Sequence, residues 1–276
     1  MYRVLPGTDI RIYNNPERGS IKCVFSDFDG TISRLRSMWK NVMENVMVEC
    51  ICGKGESPPE IADQVRKYIH DSEGIQTILQ MEALAEMVKG YGLVPENQVL
   101  DARGYKEIYN QRLMPYVRKG LNDLEEGKTT PEECTIRGAV DFFRKMSERG
   151  VTMHVFSGTD LKDVRNEAAK LGVAEFFEGG IYGALDSFEE FSKKGMMKEV
   201  MHELKFKGPE VAVFGDGRVE IGTGKENNAI TIAVASDDKK GRGWNEVKAE
   251  RLAKTGCDVM IPDFSEGDAL LKYLYN

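Results

Sequence analysis

The sequence predicts an α/β protein: a parallel sheet with helices on both faces, interrupted after its first core strand by an all-helical insertion. Three observations carry this. Residues 133–276 alternate short apolar runs with helical repeats, a pattern that implies right-handed crossovers and a parallel sheet. Residues 34–132 place apolar side chains at helical spacing and nowhere alternate like a strand. Upstream of both lies Ile21, Cys23, Val24 and Phe25, a short apolar run suited to a strand buried on both faces.

In chain order, residues 1–20 contain one strand-like piece, Asp9–Tyr13, followed by the loop Asn14–Gly19, and are expected to add an edge strand or hairpin. The insertion holds four helices. The first carries Met38, Trp39, Val42, Met43, Val46, Met47 and Ile51, and the second opens at Pro58-Pro59 with Ile61, Val65, Tyr68 and Ile69 on one face. The third runs from Ile75 to Val88 and closes at Gly90 and Gly92. The fourth begins near Tyr105, is interrupted by Pro115 and ends near Glu126.

Beyond it, the pattern predicts a helix over Pro131–Glu148, a strand over Val151–Phe156 and a helix over Asp160–Leu171. A short strand follows around Ile181-Tyr182, then a helix over Met196–Leu204 and a strand over Val211–Phe214. The strands Ala229–Val234 and Asp258–Ile261, with the helix Asn245–Lys254 between them, complete the pattern.

Composition narrows the classes. The 276 residues are 41% apolar and 30% charged, the balance of a globular chain. A net charge of −7 gives no reason to expect nucleic acid or an anionic membrane as partner. No apolar run approaches the roughly 20 residues of a membrane span, and the first residues lack a signal peptide's apolar core, so a cytoplasmic location is expected. Oligomeric state cannot be read. Cys23, Cys50, Cys52, Cys134 and Cys257 are odd in number and show no metal-type spacing, so free, buried thiols are expected. His154 sits in an apolar run and reads as a satisfied core histidine.

The candidate site residues stand at strand ends. Asp27 and Asp29 follow the first core strand two residues apart, so on an extended chain both carboxylates face one spot, and Gly30 permits a sharp turn there. Paired carboxylates beside a buried strand are costly without a cation or chemistry to offset them, although Asp, Gly and Thr are also ordinary turn residues. Ser157-Gly158 ends the next strand, where a hydroxyl and a backbone N–H suit a phosphate, or where Ser157 or Asp160 could simply cap a helix. Lys193-Lys194-Gly195 precedes a helix, and a lysine there would offset phosphate charge unless it is a solvated surface residue. Asp216 and Glu220 are two acids four apart behind the strand Val211–Phe214 and a glycine turn, hard oxygen donors of the kind magnesium prefers.

Asp27-Phe28-Asp29-Gly30-Thr31 after an apolar strand resembles the first motif of the haloacid-dehalogenase superfamily. Ser157 matches the second motif, the lysines at 193–194 the third, and Gly215-Asp216 with Glu220 the fourth. The resemblance covers residues 21–33 and 133–276, and the insertion matches only in position, size and class. Many relatives carry Asn-Asp where this chain has Val219-Glu220, which leaves the role of Glu220 open.

The resemblance implies a Rossmann-like parallel-sheet core over 1–33 and 133–276, with 1–20 as an N-terminal extension, and an all-α cap domain over 34–132. It implies a magnesium-dependent phosphatase of a small phosphorylated metabolite such as a sugar phosphate. By the same resemblance Asp27 is the nucleophile that forms an aspartyl-phosphate, and Asp29 is the general acid and base. Ser157, Gly158 and Lys194 would bind phosphate, with Lys193 and Lys198 as alternatives for the lysine. Mg2+ would be held by Asp27, Asp29 through its backbone carbonyl, Asp216 and Glu220. A sugar phosphomutase using the same residues is the runner-up, and a catalytically silent phosphometabolite-binding protein a third reading. Arg34, Arg36 and Lys54 are candidates for recognising the leaving group.

Overall fold

A computed structural model describes residues 1–184 and 192–276. Eight described strands form one sheet: β1 (Arg3–Val4), β2 (Arg11–Ile12), β3 (Cys23–Ser26), β4 (Thr152–Asp160), β5 (Gly180–Ala184), β6 (Val211–Gly215), β7 (Ile230–Val234) and β8 (Val259–Ile261). Their order is β1-β2-β8-β7-β6-β3-β4-β5, with β3 to β8 parallel and β1 and β2 an antiparallel hairpin on the β8 edge. From β3 the chain builds β4 and β5 to one side and then β6, β7 and β8 to the other. That reversal makes the carboxyl end of β3 a topological switch point, where open α/β sheets bind ligands.

Burial on both faces explains the unbroken apolar runs. Cys23 and Phe25 on β3 pack with Phe156, Val211 and Val213 against Met197 and Val200 of α7 (Lys193–Leu204). Nearer the β8 edge, Ala233 and Met260 pack with Ile221 of α8 (Arg218–Glu226) and Ala249 and Leu252 of α9 (Glu246–Lys254). Phe142 and Phe143 of α5 (Ala139–Glu148) meet Phe214 at ring-centroid distances of 5.4 and 5.7 Å. The remaining core helices are α6 (Leu161–Lys170) and α10 (Gly267–Tyr275).

The chain divides into two compact units, Met1–Leu35 with Gly120–Asn276, and Arg36–Lys119. The second lies within the insertion and comprises α1 (Trp39–Cys52), α2 (Pro59–Asp71), α3 (Thr77–Tyr91) and most of α4 (Ala102–Glu125). Its bounds fall inside the expected 34–132 because the end of α4 and the segment after it belong with the sheet unit. Contrary to expectation, Pro115 does not interrupt α4. It sits on the exposed side, where water can satisfy the carbonyl it strands, while Tyr105, Tyr109, Leu113, Val117 and Leu121 stay buried along the other side.

Other boundaries also moved. The helix expected over Pro131–Glu148 begins only at Ala139; Gly138 before it has φ of 78°, and a Cβ there would lie 2.5 Å from the Phe264 carbonyl oxygen. Helix α7 starts three residues earlier than its apolar periodicity indicates, because Ser192 caps it by accepting a hydrogen bond from Gly195 N–H at 2.9 Å. The helices α8 and α10 are additional to the sequence reading. All five cysteines are free; Cys23, Cys52 and Cys257 are buried, while Cys50 and Cys134 are partly exposed. His154 is in the core between Phe25 and Tyr182, as expected, with the Gly179 backbone beside its ring.

Candidate active site

The carboxyl ends of β3, β4 and β6 carry Asp27, Ser157 and Asp216. Register aligns them, because Ser26 on β3 pairs with Val155 on one side and Phe214 on the other. Asp27 N–H continues the ladder by donating to the Phe214 carbonyl at 2.9 Å. Three residues on, the chain turns at Gly30, which has φ of 83° and donates its N–H to Ser33 O at 2.9 Å. A Cβ on Gly30 would lie 2.3 Å from Asp216 Oδ2. Glycine is therefore required twice, for the left-handed backbone and for the close approach of β6's acid to the β3 turn.

Asp27 is 6% exposed, and its carboxylate takes a hydrogen bond from Thr31 Oγ1 at 3.3 Å and an ion pair from Lys193 Nζ. The same ammonium is ion-paired with Glu220, which is 1% exposed. Lys193 is thus a buried cation between two buried carboxylates. Burial alone would discharge it, but Asp27 and Glu220 more than offset that and hold it above its ordinary pKa. Burial pushes the Asp27 carboxyl well above the usual carboxylate range; Lys193 pulls it down, while Glu220 and Asp216 push it further up.

Asp29 faces a different set. Its Oδ2 accepts from Ser157 Oγ at 3.2 Å and from Thr159 Oγ1 at 2.8 Å, while Thr159 N–H donates to Ser157 Oγ at 3.0 Å. The pairing of β4 with β5 is irregular between Phe156 and Asp160, which brackets these residues and Gly158. Asp216 Oδ2 accepts from Lys248 Nζ at 2.8 Å, and its backbone oxygen from Arg251 at 3.0 Å. Lys248, 2% exposed, also pairs with Asp238.

The placement corrects the lysine expectation. Lys194, chosen from the sequence, is on the surface with Glu226 at 2.6 Å, and Lys198 shares that acid at 2.8 Å; Lys193 is the lysine in the site. The earlier start of α7 is the cause. Lys193, Met197 and Val200 are its buried residues, so Lys193 shares the face that packs on the sheet, and Lys194 is rotated away. Glu220, expected from the sequence as a metal ligand, has one oxygen on Lys193, while the other, Oε2, is buried without a hydrogen-bond partner. Arg34, a candidate for the leaving group, has its guanidinium committed to the backbone carbonyls of Glu133, at 2.8 Å, and Lys239. Arg36 is buried with Nη2 3.9 Å from Met114 Sδ, and Lys54 is exposed. Thr159, Lys248 and Asp238 were not singled out from the sequence; the hydroxyl two residues after Ser157 was the only local signal among them.

The residues fit a divalent cation. Asp27, Glu220, Asp216 and Asp238 put four carboxylates against the two ammonium groups of Lys193 and Lys248, an excess of negative charge before Asp29 is counted. The donors are hard oxygens, and Glu220 Oε2 is an acceptor without a donor. Among the described residues no three His, Cys, Asp or Glu side chains form a ready-made cage. An ion held here would have to keep several waters and take one or two carboxylates plus a substrate phosphate.

The doubly wound sheet thus brings paired acids and a buried lysine together at its switch point. Comparison with known proteins gives the family: the model for haloacid dehalogenase-like hydrolases matches residues 21–228, and the chain belongs to that family. No relative is found among curated proteins. Among solved structures, the chain is similar to a putative β-phosphoglucomutase from Bacteroides vulgatus, with TM-score 0.61 and 18% identity over 94% of this chain and 93% of that one. A putative phosphatase from Clostridium difficile gives 0.58 and 14% over 92% and 100%. A haloacid dehalogenase-like hydrolase family protein from Streptococcus pneumoniae gives 0.56 and 17% over 92% and 98%. At these identities the likeness is one of fold. Among the described residues no helix is long and apolar enough to cross a membrane.

Proposed function

We propose that this chain is a magnesium-dependent phosphatase acting on a small phosphorylated metabolite, with Asp27 as nucleophile. The observation that supports it most is the buried Asp27–Lys193–Glu220 array at the end of β3. A carboxylate fixed by Thr31 and Lys193 has its orientation set before substrate arrives, which is how a weak nucleophile gains rate. Asp27 attacks phosphorus in line, the bond from phosphorus to the leaving oxygen breaks, and an aspartyl-phosphate forms. Asp29, oriented by the hydroxyls of Ser157 and Thr159, gives its proton to that leaving oxygen. It then takes a proton from the water that attacks phosphorus and frees Asp27.

Lys193, Ser157 and the backbone of Gly158 are assigned the phosphoryl oxygens; Lys193 replaces Lys194 in this role. Asp27, the Asp29 carbonyl and Asp216 would hold Mg2+, with Glu220 positioning Lys193. When bound, the ion supplies charge neutralisation on the transferring group. The helical insertion is assigned the role of a cap from its place in the chain. A phosphomutase would use the same residues and return the phosphoryl group to substrate, a reading favoured only by the fold likeness to a putative β-phosphoglucomutase.

Hydrolysis of p-nitrophenyl phosphate, followed by free phosphate with and without Mg2+, tests the proposal. Wild type should release phosphate only with the metal, and Asp27→Asn should fold but not turn over. Turnover by Asp27→Asn near the wild-type rate would refute the nucleophile. Phosphoryl transfer to a sugar phosphate without free phosphate would favour the mutase.

A further inference from the structure

Lys248 belongs to none of the four sequence motifs, yet it is a buried ammonium group bound directly to an acid of the site. Two local features bring it there. Helix α9 is capped by Asn245, whose side chain accepts from Lys248 N–H at 3.1 Å, and Asn245 N–H donates to Ala235 O at 2.8 Å at the end of β7. This fixes the first turn of α9 against the sheet, with Lys248, Ala249, Arg251 and Leu252 buried. Lys248 then extends to Asp216 Oδ2 at 2.8 Å and to Asp238.

Asp238 lies on the loop between β7 and α9, which is itself tied down. Asp237 Oδ1 accepts from the N–H groups of Lys239 and Lys240 at 3.0 and 2.9 Å, and Gly241 N–H donates to Asp237 O at 2.7 Å. Both partners of the lysine are therefore held in place. The consequence falls on Asp216. Its Oδ2 is confined between Lys248 and the Gly30 turn, whereas no described residue donates a hydrogen bond to Oδ1.

We propose that Lys248 is a positioning residue that occupies one oxygen of Asp216, so that this carboxylate offers a cation a single oxygen and the site prefers Mg2+ to Ca2+. This rests on the reading of Asp216 as a magnesium ligand. The physical basis is the difference between the ions. Mg2+ demands near-octahedral geometry and keeps its waters, whereas Ca2+ takes more oxygens and accepts a carboxylate through both. A lysine that holds Oδ2 removes the option Ca2+ exploits and costs Mg2+ little. A neutral residue at 248 without a donor would free Oδ2 to bind alongside Oδ1, which favours the larger, more highly coordinated ion.

The test is direct cation binding, without substrate. Mn2+ bound to the full chain is read by electron paramagnetic resonance and displaced with MgCl2 or CaCl2. Lys248→Met/Asp238→Asn, which removes the buried cation together with one of its acids, should shift the ratio of Mg2+ to Ca2+ dissociation constants at least about tenfold toward Ca2+. Lys248→Leu/Asp238→Asn, with a different apolar side chain at 248, should move it the same way and serves if the first double variant does not fold. Asp238→Asn, which keeps the lysine on Asp216, should leave the ratio near wild type. Equal weakening of both ions in the Lys248 variants would overturn the proposal and leave the metal reading standing. A shift in Asp238→Asn as large as in the double variant would also overturn it. Absence of Mn2+ binding by wild type would overturn both.

Discussion

Lys193→Met and Lys194→Met place the same substitution one residue apart, and the two should behave very differently. The side chains of Lys193, Asp27 and Glu220 are 4%, 8% and 2% exposed. Removing it leaves two buried carboxylates without their cation, a change that typically costs about 3–5 kcal/mol. Against a domain stability of roughly 5–15 kcal/mol, the variant should remain folded but be markedly weakened. Lys194 and Glu226 are 49% and 47% exposed, and Lys198 remains on the same acid, so Lys194→Met should cost no more than about 1 kcal/mol.

Turnover should separate them too. Loss of a charge-stabilising group costs about 10²–10³ in kcat, expected for Lys193→Met and not for Lys194→Met. Urea unfolding followed by tryptophan fluorescence and p-nitrophenyl phosphate hydrolysis measure the two effects. The stability deficit of Lys193→Met should also shrink as pH falls. Without the lysine, the Asp27 carboxyl, already pushed above its ordinary range by burial, lies still higher. The folded state then takes up a proton before the unfolded chain does, and lowering the pH stabilises it. If Lys194→Met proved as damaging as Lys193→Met in both assays, the assignment of the site lysine would be wrong.

Gly30→Ala should lose about 1–2 kcal/mol from the left-handed backbone alone, because φ is 83°. Its Cβ would also meet Asp216 Oδ2 at 2.3 Å, so the Mg2+ concentration for half-maximal activity should rise roughly 10–100-fold; an unchanged magnesium titration would refute the apposition. His154 is buried among aromatic rings, which pushes its pKa down to about 4. The unfolded chain, with an ordinary imidazole, takes the proton first, so the His154 contribution is whole above about pH 6.5 and is lost as pH falls through about 4, a change of about 3 kcal/mol. In His154→Leu the urea midpoint should lose that part of its pH dependence, and a slope identical to wild type would show that the imidazole does not titrate in this way.

How much could be read from the sequence depended on how local each signal was. Strand, spacing and residue identity all lie within Ile21–Ser33, so that stretch alone places Asp27, Asp29 and Gly30 at a strand end. The strands behind Ser157 and Asp216 were equally legible, because burial on both faces leaves a continuous apolar run. The choice between Lys193 and Lys194 was not, since adjacent residues on a helix point about 100° apart and everything depends on where the helix starts. Apolar periodicity marked Met196, but the cap at Ser192 begins the helix at Lys193. Helix α8 escaped for a related reason: Gly222 and Gly224 depress its intrinsic propensity, while a Cβ on Gly224 would lie 2.7 Å from Thr231, so close packing on β7 requires the residue that hides the helix.

Lys248 shows a different limit. It is 32 residues from Asp216 and stands in an amphipathic stretch rich in charge, where a lysine is by default a solvated residue. Its burial depends on β7 and β6 lying side by side, so that a helix following one strand can present a side chain to the acid at the end of the other. Neither its own neighbours in sequence nor those of Asp216 encode that meeting. The cost of burying an ammonium group is offset only because Asp216 and Asp238 both converge on it, and the same two acids raise its pKa against the pull of burial. Motif reading finds the groups that act on substrate, because their spacing is set within one turn of chain. The groups that hold those in place are recruited from other elements, and the sheet order decides which ones can reach.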